Sequence, residues 1–290
     1  MSLNWKALAP HRPLDPGEAG YVVSPSGFAE RIARLVTTGT STVLVGGPVG
    51  VGKSTELARI TALLQGPRAA CLVQLDRHEN IRRLTADQLL LRLAGQLVEY
   101  AIESLRLNVS SSLAEPLLAS GVLSPRIAPA IAPGFLAFQS SPEALVNAAL
   151  EEVTRRSRQG RVTLLIDGLE KMPESTQAHE ILAALGGLDE SVDLVIVVPW
   201  FVAFGSSEDA IRPGALFAPV PAPPVEGPEG RTGRQFLADV LTTRLGLPRE
   251  VLGAAEKQRL RRRVGTCGPG EPWSSKPRDG AAVCRGHSCN

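Results

Sequence analysis

The chain has few of the features that mark a membrane protein, a secreted disulfide scaffold or a polyanion-binding protein. No uninterrupted apolar run approaches the roughly 20 residues that span a bilayer, and residues 1–6 lack the charged-then-apolar pattern of a signal peptide. The formal net charge is only +2, so bulk electrostatics do not favour nucleic acid or acidic lipid. Of four cysteines, three follow residue 264, which favours a reducing, cytoplasmic location.

The apolar residues that are present lie in short, regularly spaced runs. With 290 residues, 43% of them hydrophobic, the chain can bury one large core or two smaller ones. Helical patterns separate the runs: Thr85 and Gln88 start one as a capping box, and Ser141 and Pro142 start another. This alternation predicts an α/β fold with a parallel sheet covered on both faces. The predicted strands are at 41–46, 70–75, 161–167, 192–199 and, more weakly, 215–220.

The first aliphatic run leads into the string GPVGVGKS, which matches G-x-x-x-x-G-K-[ST], the phosphate-binding loop of P-loop NTPases. Its strand–loop–helix context is the one that this motif requires. The glycines let backbone N–H groups point inward and hold phosphates at a helix N-terminus. We expect Lys53 to reach the β- and γ-phosphates and the Ser54 hydroxyl to take one Mg²⁺ position. The predicted ATP-binding residues are Gly47, Pro48, Val49, Gly50, Val51, Gly52, Lys53, Ser54 and Thr55.

A second motif ends the aliphatic run at 161–167. A buried parallel strand of this kind delivers its last residue, Asp167, to the C-terminal edge of the sheet. There the carboxylate is expected to hold Mg²⁺ beside the triphosphate, usually through water. Glu170 is a candidate for orienting the attacking water, and a solvated turn residue is the equally open alternative. Lys53, Asp167 and Glu170 are therefore the candidate catalytic residues.

These two motifs resemble those of the AAA+ and STAND ATPases, and the resemblance covers about residues 20–250. The string DGLE at 167–170 resembles the STAND Walker B motif, although Lys171 stands where those proteins usually carry a further acid. A complete strand at 70–75 separates the two motifs, as in that group. The resemblance implies a three-layer P-loop sandwich with a five-stranded parallel sheet of order 5-1-4-3-2. It also implies that Tyr21 and its neighbours contact adenine, with an N-terminal strand edge plus a packed tyrosine as the alternative.

Composition predicts four parts: an N-terminal segment at 1–20, a P-loop core at 21–225, a partial helical lid at 226–263 and a disordered tail at 264–290. Thr232 and Gln235 are predicted to cap the lid helix, which resembles the first lid helix of origin-recognition-like AAA+ ATPases. An insertion at about 107–140 lengthens the core; it is either a tolerated insert or a surface for a protein partner or second copy. A zinc site in the tail is disfavoured, because the spacing of Cys267, Cys284, His287 and Cys289 matches no usual pattern.

The motifs leave three functions open. The leading hypothesis is an ATPase module that couples Mg-ATP binding and slow hydrolysis to a conformational or assembly switch. The alternatives are a nucleotide-binding switch without turnover and a P-loop small-molecule kinase, for which acceptor-site signals are missing. Arg212 is a candidate for the arginine that reaches a neighbour's γ-phosphate, with a surface arginine as the favoured alternative. Ser206 is a weak candidate γ-phosphate sensor, and the basic cluster at 259–263 is more typical of a solvated helix surface than of a nucleic-acid site.

Overall fold

Five parallel strands form the central sheet of the computed structural model. The model describes residues 14–66, 68–77, 79–124, 126–127, 141–156, 160–173, 176–204, 211–226 and 229–247. The sheet order is β2-β3-β4-β1-β5, which is 5-1-4-3-2 read from the other edge and confirms the expected P-loop topology. The strands are β1 (Thr42–Gly46), β2 (Ala69–Gln74), β3 (Val162–Asp167), β4 (Val192–Val197) and β5 (Leu216–Pro219).

Helices connect the strands. Among the described residues none of them is long and apolar enough to cross a membrane. Short 3₁₀ turns at Leu75–Arg77, Ile81–Arg83 and Leu169–Lys171 follow the ends of β2 and β3. The helices are α1 (Phe28–Thr37), α2 (Lys53–Leu64), α3 (Ala86–Glu103), α4 (Ser111–Ala119), α5 (Pro142–Arg156), α6 (Thr176–Gly186), α7 (Trp200–Phe204) and α8 (Gly230–Leu245).

Strands β1, β3 and β4 are buried on both faces, whereas the edge strand β5 is partly exposed. Side chains alternate along each strand, so that Val43 and Val45 of β1 pack with α1 and α2, while Leu44 packs in the core that includes α3, α5 and α6. Each large aliphatic side chain buried in this way contributes about 1.5–3 kcal/mol. A parallel sheet with both faces covered leaves its strand ends as the exposed functional edge, and this places the site there.

Two predicted helix starts are confirmed and one is wrong. Thr85 Oγ1 accepts a hydrogen bond from the Gln88 N–H at 3.2 Å and Gln88 Oε1 accepts one from the Thr85 N–H at 3.0 Å, and Ser141 Oγ accepts one from the Ala144 N–H at 3.2 Å. The α8 helix begins at Gly230, without a capping side chain among the described residues. Thr232 does not cap it, because its N–H already donates to the Glu229 carbonyl at 3.0 Å inside the first turn.

The described part of the insertion is anchored to α3. Arg92 donates to the Val122 carbonyl at 3.1 Å, and the Ser124 N–H donates to the Glu99 carboxylate at 3.0 Å. Leu113 and Leu117 of α4 are buried in the same core as α3. Residues 128–140 of the insertion and the predicted tail at 264–290 lie outside the described residues.

Candidate nucleotide-binding site

The phosphate-binding loop joins the last residue of β1, Gly46, to the first residue of α2, Lys53. Gly50 and Gly52 have φ angles of 83° and 101°, in the left-handed region that residues with a side chain rarely adopt. No side chain in the described part of the chain caps the start of α2, so its first N–H groups have no side-chain acceptor. The loop thus presents backbone donors and the positive end of a helix dipole, the arrangement that a phosphate group requires.

The Lys53 side chain folds back over this loop. It is 6% exposed, and its Nζ donates to the carbonyl oxygens of Gly47 at 3.0 Å and Pro48 at 3.1 Å. A buried ammonium needs such partners because leaving it unpaired would be costly. The two bonds hold the positive charge over the loop, where an incoming polyphosphate would meet it.

Asp167 ends β3 and is 4% exposed. Burial raises the pKa of its carboxyl group, the nearby Ser54 hydroxyl counteracts part of that shift, and repulsion from Asp76 adds to it. The Oδ1 atom is buried without a hydrogen-bond partner among the described residues. A buried, unpartnered carboxylate oxygen beside a hydroxyl is costly on its own and suits a cation.

Glu170 lies in the 3₁₀ turn that follows Asp167, after Gly168 with φ 101°. Burial raises the pKa of its carboxyl group, repulsion from Asp167 adds to the rise, and attraction to Lys53 opposes it. Its Oε2 atom is also buried without a hydrogen-bond partner in the described part of the chain. The structure therefore places Glu170 within electrostatic reach of two other sequence-predicted residues, Lys53 and Asp167.

Arg212 is not at this site. It is 7% exposed, and its guanidinium donates to the carbonyl oxygens of Leu188 at 2.6 Å, Val192 at 2.7 Å and Asp189 at 3.0 Å. These bonds tie the chain after α6 to the start of β4, at the opposite end of the strands from the phosphate-binding loop. The surface-arginine interpretation is also wrong: Arg212 is buried, and its guanidinium supplies hydrogen bonds to backbone carbonyl groups that would otherwise lack a donor.

Two further sequence predictions concern residues near the site. Tyr21 lies in irregular chain, so no N-terminal strand forms there, but its side chain is half-buried, as the packed-tyrosine part of the alternative expects. Burial raises the pKa of its hydroxyl, and a hydrogen bond with Arg59 of α2 opposes that shift; contact with adenine stays a prediction. Ser206, the candidate γ-phosphate sensor, lies outside the described residues.

Sequence reasoning missed Asp76 and Lys171. Lys171 Nζ and Asp76 Oδ2 form an ion pair at 2.6 Å that joins the chain after β2 to the chain after β3. Asp76 could have been found by the signal that identified Asp167, because it is the first acid after an aliphatic run. The pairing of Asp76 with Lys171 could not be predicted in this way, because the two residues are 95 positions apart.

Comparison with known proteins agrees with this geometry. The family model described as AAA ATPase domain matches residues 28–198, which is 198 − 28 + 1 = 171 of the 290 residues. The chain therefore belongs to the AAA ATPase domain family and is a nucleotide-binding AAA+ module. No curated protein matches it.

Solved structures with a similar arrangement are distant from this chain. A Walker-type ATPase of Pyrococcus abyssi is 16% identical, with a TM-score of 0.42 over 88% of this chain and 80% of its own. The ORC1 protein of Aeropyrum pernix, solved in complex with DNA, is 17% identical, with a TM-score of 0.42 over 84% of this chain and 63% of its own.

Proposed function

We propose that this chain is an ATPase module that binds ATP with Mg²⁺, hydrolyses it slowly and converts nucleotide state into a conformational or assembly change. One observation carries the proposal: two buried carboxylate oxygens, Asp167 Oδ1 and Glu170 Oε2, have no partner in the described part of the chain, and Glu170 lies within electrostatic reach of both Asp167 and Lys53. Unsatisfied buried oxygens are costly, and they are found at sites that bind or react.

The residues present fit Mg²⁺. The ion takes oxygen ligands and is usually held by one or two carboxylates, water and substrate phosphates. Among the described residues no group of three His, Cys, Asp or Glu side chains could hold a metal by itself, which suits an ion that depends on phosphate oxygens. Asp167 and Ser54 would hold it, and its charge would neutralise the phosphate oxygens. The fold positions both side chains: Ser54 is the second residue of α2, and Asp167 is fixed by strand pairing with Gln74.

Glu170 is suited to act on water. A carboxylate of raised pKa is a better proton acceptor, so Glu170 would orient the water and take its proton as the water oxygen bonds to the γ-phosphorus. The bond from the γ-phosphorus to the bridging oxygen breaks, and ADP leaves with that oxygen. Lys53 can transfer its hydrogen bonds from the loop carbonyls to phosphate oxygens, which stabilises the charge in the transition state.

Turnover and binding assays on two variants test this proposal. Glu170→Gln should keep ATP affinity and lose turnover by about 100-fold or more, since a general base typically contributes about 10²- to 10⁴-fold. Asp167→Asn should weaken nucleotide binding only when Mg²⁺ is present. The control is Glu180→Gln, the same change on the exposed surface of α6, which should match the parent. Hydrolysis by Glu170→Gln at the parental rate would show that Glu170 is only a turn residue.

The position of Arg212 favours a second candidate function, a nucleotide-binding switch without turnover. This arginine is committed to backbone carbonyl groups, so it does not supply the positive charge that accelerates hydrolysis in many P-loop enzymes. A parent protein that binds ATP but releases no phosphate would support the switch. Phosphate transfer to added small acceptors would instead support a kinase.

The anchored part of the insertion is the proposed surface for a protein partner or a second copy. The burial of Leu113 and Leu117 holds α4 against the core, and bonds to α3 hold the chain that follows it, so a partner would meet a fixed surface and would not have to order it first. Glu115 lies on the exposed face of α4, so Glu115→Lys should leave ATP binding intact and weaken any concentration-dependent self-association seen by light scattering. Self-association that is unchanged in Glu115→Lys would contradict this role.

A further inference from the structure

Asp76 contacts both ends of the turn that carries Glu170. At the far end, its Oδ2 pairs with Lys171 Nζ at 2.6 Å. At the near end, Gly168 lies so close that a Cβ atom there would be 3.0 Å from the Asp76 backbone nitrogen and 3.1 Å from its Cβ. Asp76 thus contacts Gly168 and Lys171, the residues on either side of positions 169 and 170.

This ion pair contributes little to global stability. The Lys171 and Asp76 side chains are 55% and 32% exposed, and exposed pairs of this kind are typically worth about 0–1 kcal/mol. Its main physical consequence is therefore local: it restricts where the chain between Gly168 and Lys171 can lie.

The turn has few other restraints on the orientation of Glu170. Its first hydrogen bond, from the Lys171 N–H to the Gly168 carbonyl, is long at 3.4 Å, and the next, from Met172 to Leu169, is 3.0 Å. Leu169 is fully buried and anchors one side. The Glu170 carboxylate has a hydrogen bond to its own backbone, and its Oε2 has no partner in the described part of the chain, so the position of the carboxylate depends on the backbone of the turn.

We propose that Asp76 is a positioning residue for Glu170: by holding Lys171 and packing on Gly168, it fixes the 3₁₀ turn so that the Glu170 carboxylate faces the phosphate-binding loop. This inference rests on the proposed hydrolysis. It assigns Asp76 and Lys171 no contact with nucleotide. A misplacement of about 1 Å in a catalytic group costs up to about 100-fold in rate, so a weak surface pair can have a large kinetic effect.

Four variants measured for turnover and ATP affinity separate this role from a general effect on folding. Asp76→Asn and Lys171→Met should each lower kcat by about tenfold or more with ATP affinity within about twofold of the parent. Their double variant should lose no more than either one, because both remove the same pair. Lys171→Arg keeps the charge and should restore most of the rate. The matched control is Glu79→Gln, in the same loop as Asp76. This substitution breaks the 2.6 Å pair between Glu79 and Arg92 of α3 and should leave kcat unchanged.

Hydrogen exchange gives a readout that does not depend on turnover. Without nucleotide, the amides of residues 169–172 should exchange faster in Asp76→Asn than in the parent or in Glu79→Gln. Unchanged exchange, a parental kcat in Asp76→Asn, or an equal loss in Glu79→Gln would each overturn the inference alone. A parent protein without turnover would overturn the proposed hydrolysis and this inference together.

Discussion

Replacing Asp193 by Asn should destabilise the whole fold, because its carboxylate is the buried anion between two arginines. Asp193 is in β4 and is fully buried. Its Oδ1 accepts a hydrogen bond from Arg161 Nη2 at 2.7 Å, and its Oδ2 pairs with Arg68. Arg68 also donates to the Thr37 carbonyl at the end of α1. The network therefore joins the end of α1, the chain just before β2 and β3, and β4 at the end of the sheet away from the nucleotide site.

The magnitude follows from the burial of the partners. Removing one member of a buried ion pair costs about 3–5 kcal/mol because the remaining charge is uncompensated. The Arg161 side chain is 40% exposed and can turn to water, whereas that of Arg68 is 10% exposed and has less freedom to do so. We therefore expect the lower end, about 3 kcal/mol. At about 2–4 °C per kcal/mol for a chain of this size, the melting temperature should fall by about 6–12 °C.

Thermal melting and urea unfolding of Asp193→Asn, followed by circular dichroism, test this reasoning. The matched control is Asp87→Asn, the same substitution at an exposed position in the first turn of α3. Its cost should stay below about 1 kcal/mol, the usual range for an acid at a helix N-terminus. A melting temperature for Asp193→Asn within about 2 °C of the control would refute the account of the network.

Two further predictions concern the buried Glu56 and the tail. Burial raises the pKa of the Glu56 carboxyl above 4.5, so the folded state binds its proton more tightly than the unfolded state. The resulting loss in the free energy of unfolding is absent well below pH 4.5. It grows as the pH rises from 4.5 through the raised pKa of Glu56 in the folded state. Glu56→Gln should therefore melt higher than the parent at pH 7, with the gain vanishing near pH 4; a gain independent of pH would contradict this. Deletion of residues 265–290 should leave melting and ATP binding unchanged, with or without zinc. A zinc-dependent melting shift in the intact chain would show that the tail is a folded element.

The features predicted correctly from sequence have contiguous signals. The phosphate-binding loop is one string between a strand and a helix, and the helix start at Thr85 depends on a residue three positions later. The position of Asp167 at the end of β3 was predicted because a buried parallel strand must end at the functional edge; its role toward Mg²⁺ stays a prediction. The sheet order came from the resemblance of these motifs to AAA+ and STAND ATPases and is confirmed.

The features that sequence reasoning missed depend on residues distant in the chain. Asp193 lies inside an aliphatic run, and its partners Arg161 and Arg68 are 32 and 125 positions away. The burial of Arg212 depends on carbonyl groups that become available only when α6 and β4 are in place. Asp76 needed the same kind of information about Lys171, because a contact across the ends of two strands exists only after the sheet has formed.

Equilibrium ATP binding to Lys53→Ala, with Mg²⁺ present, tests the central claim most directly. The chain offers a matched control in Lys171→Ala, which removes the same charge from a side chain that pairs with Asp76 beside the site. If the loop at 47–54 holds the triphosphate, Lys53→Ala should lose about 2–3 kcal/mol of binding free energy, or about 30- to 150-fold in affinity. Lys171→Ala should stay within about twofold of the parent. Unchanged ATP affinity in a folded Lys53→Ala protein, or equal losses in both variants, would contradict the assignment of the site.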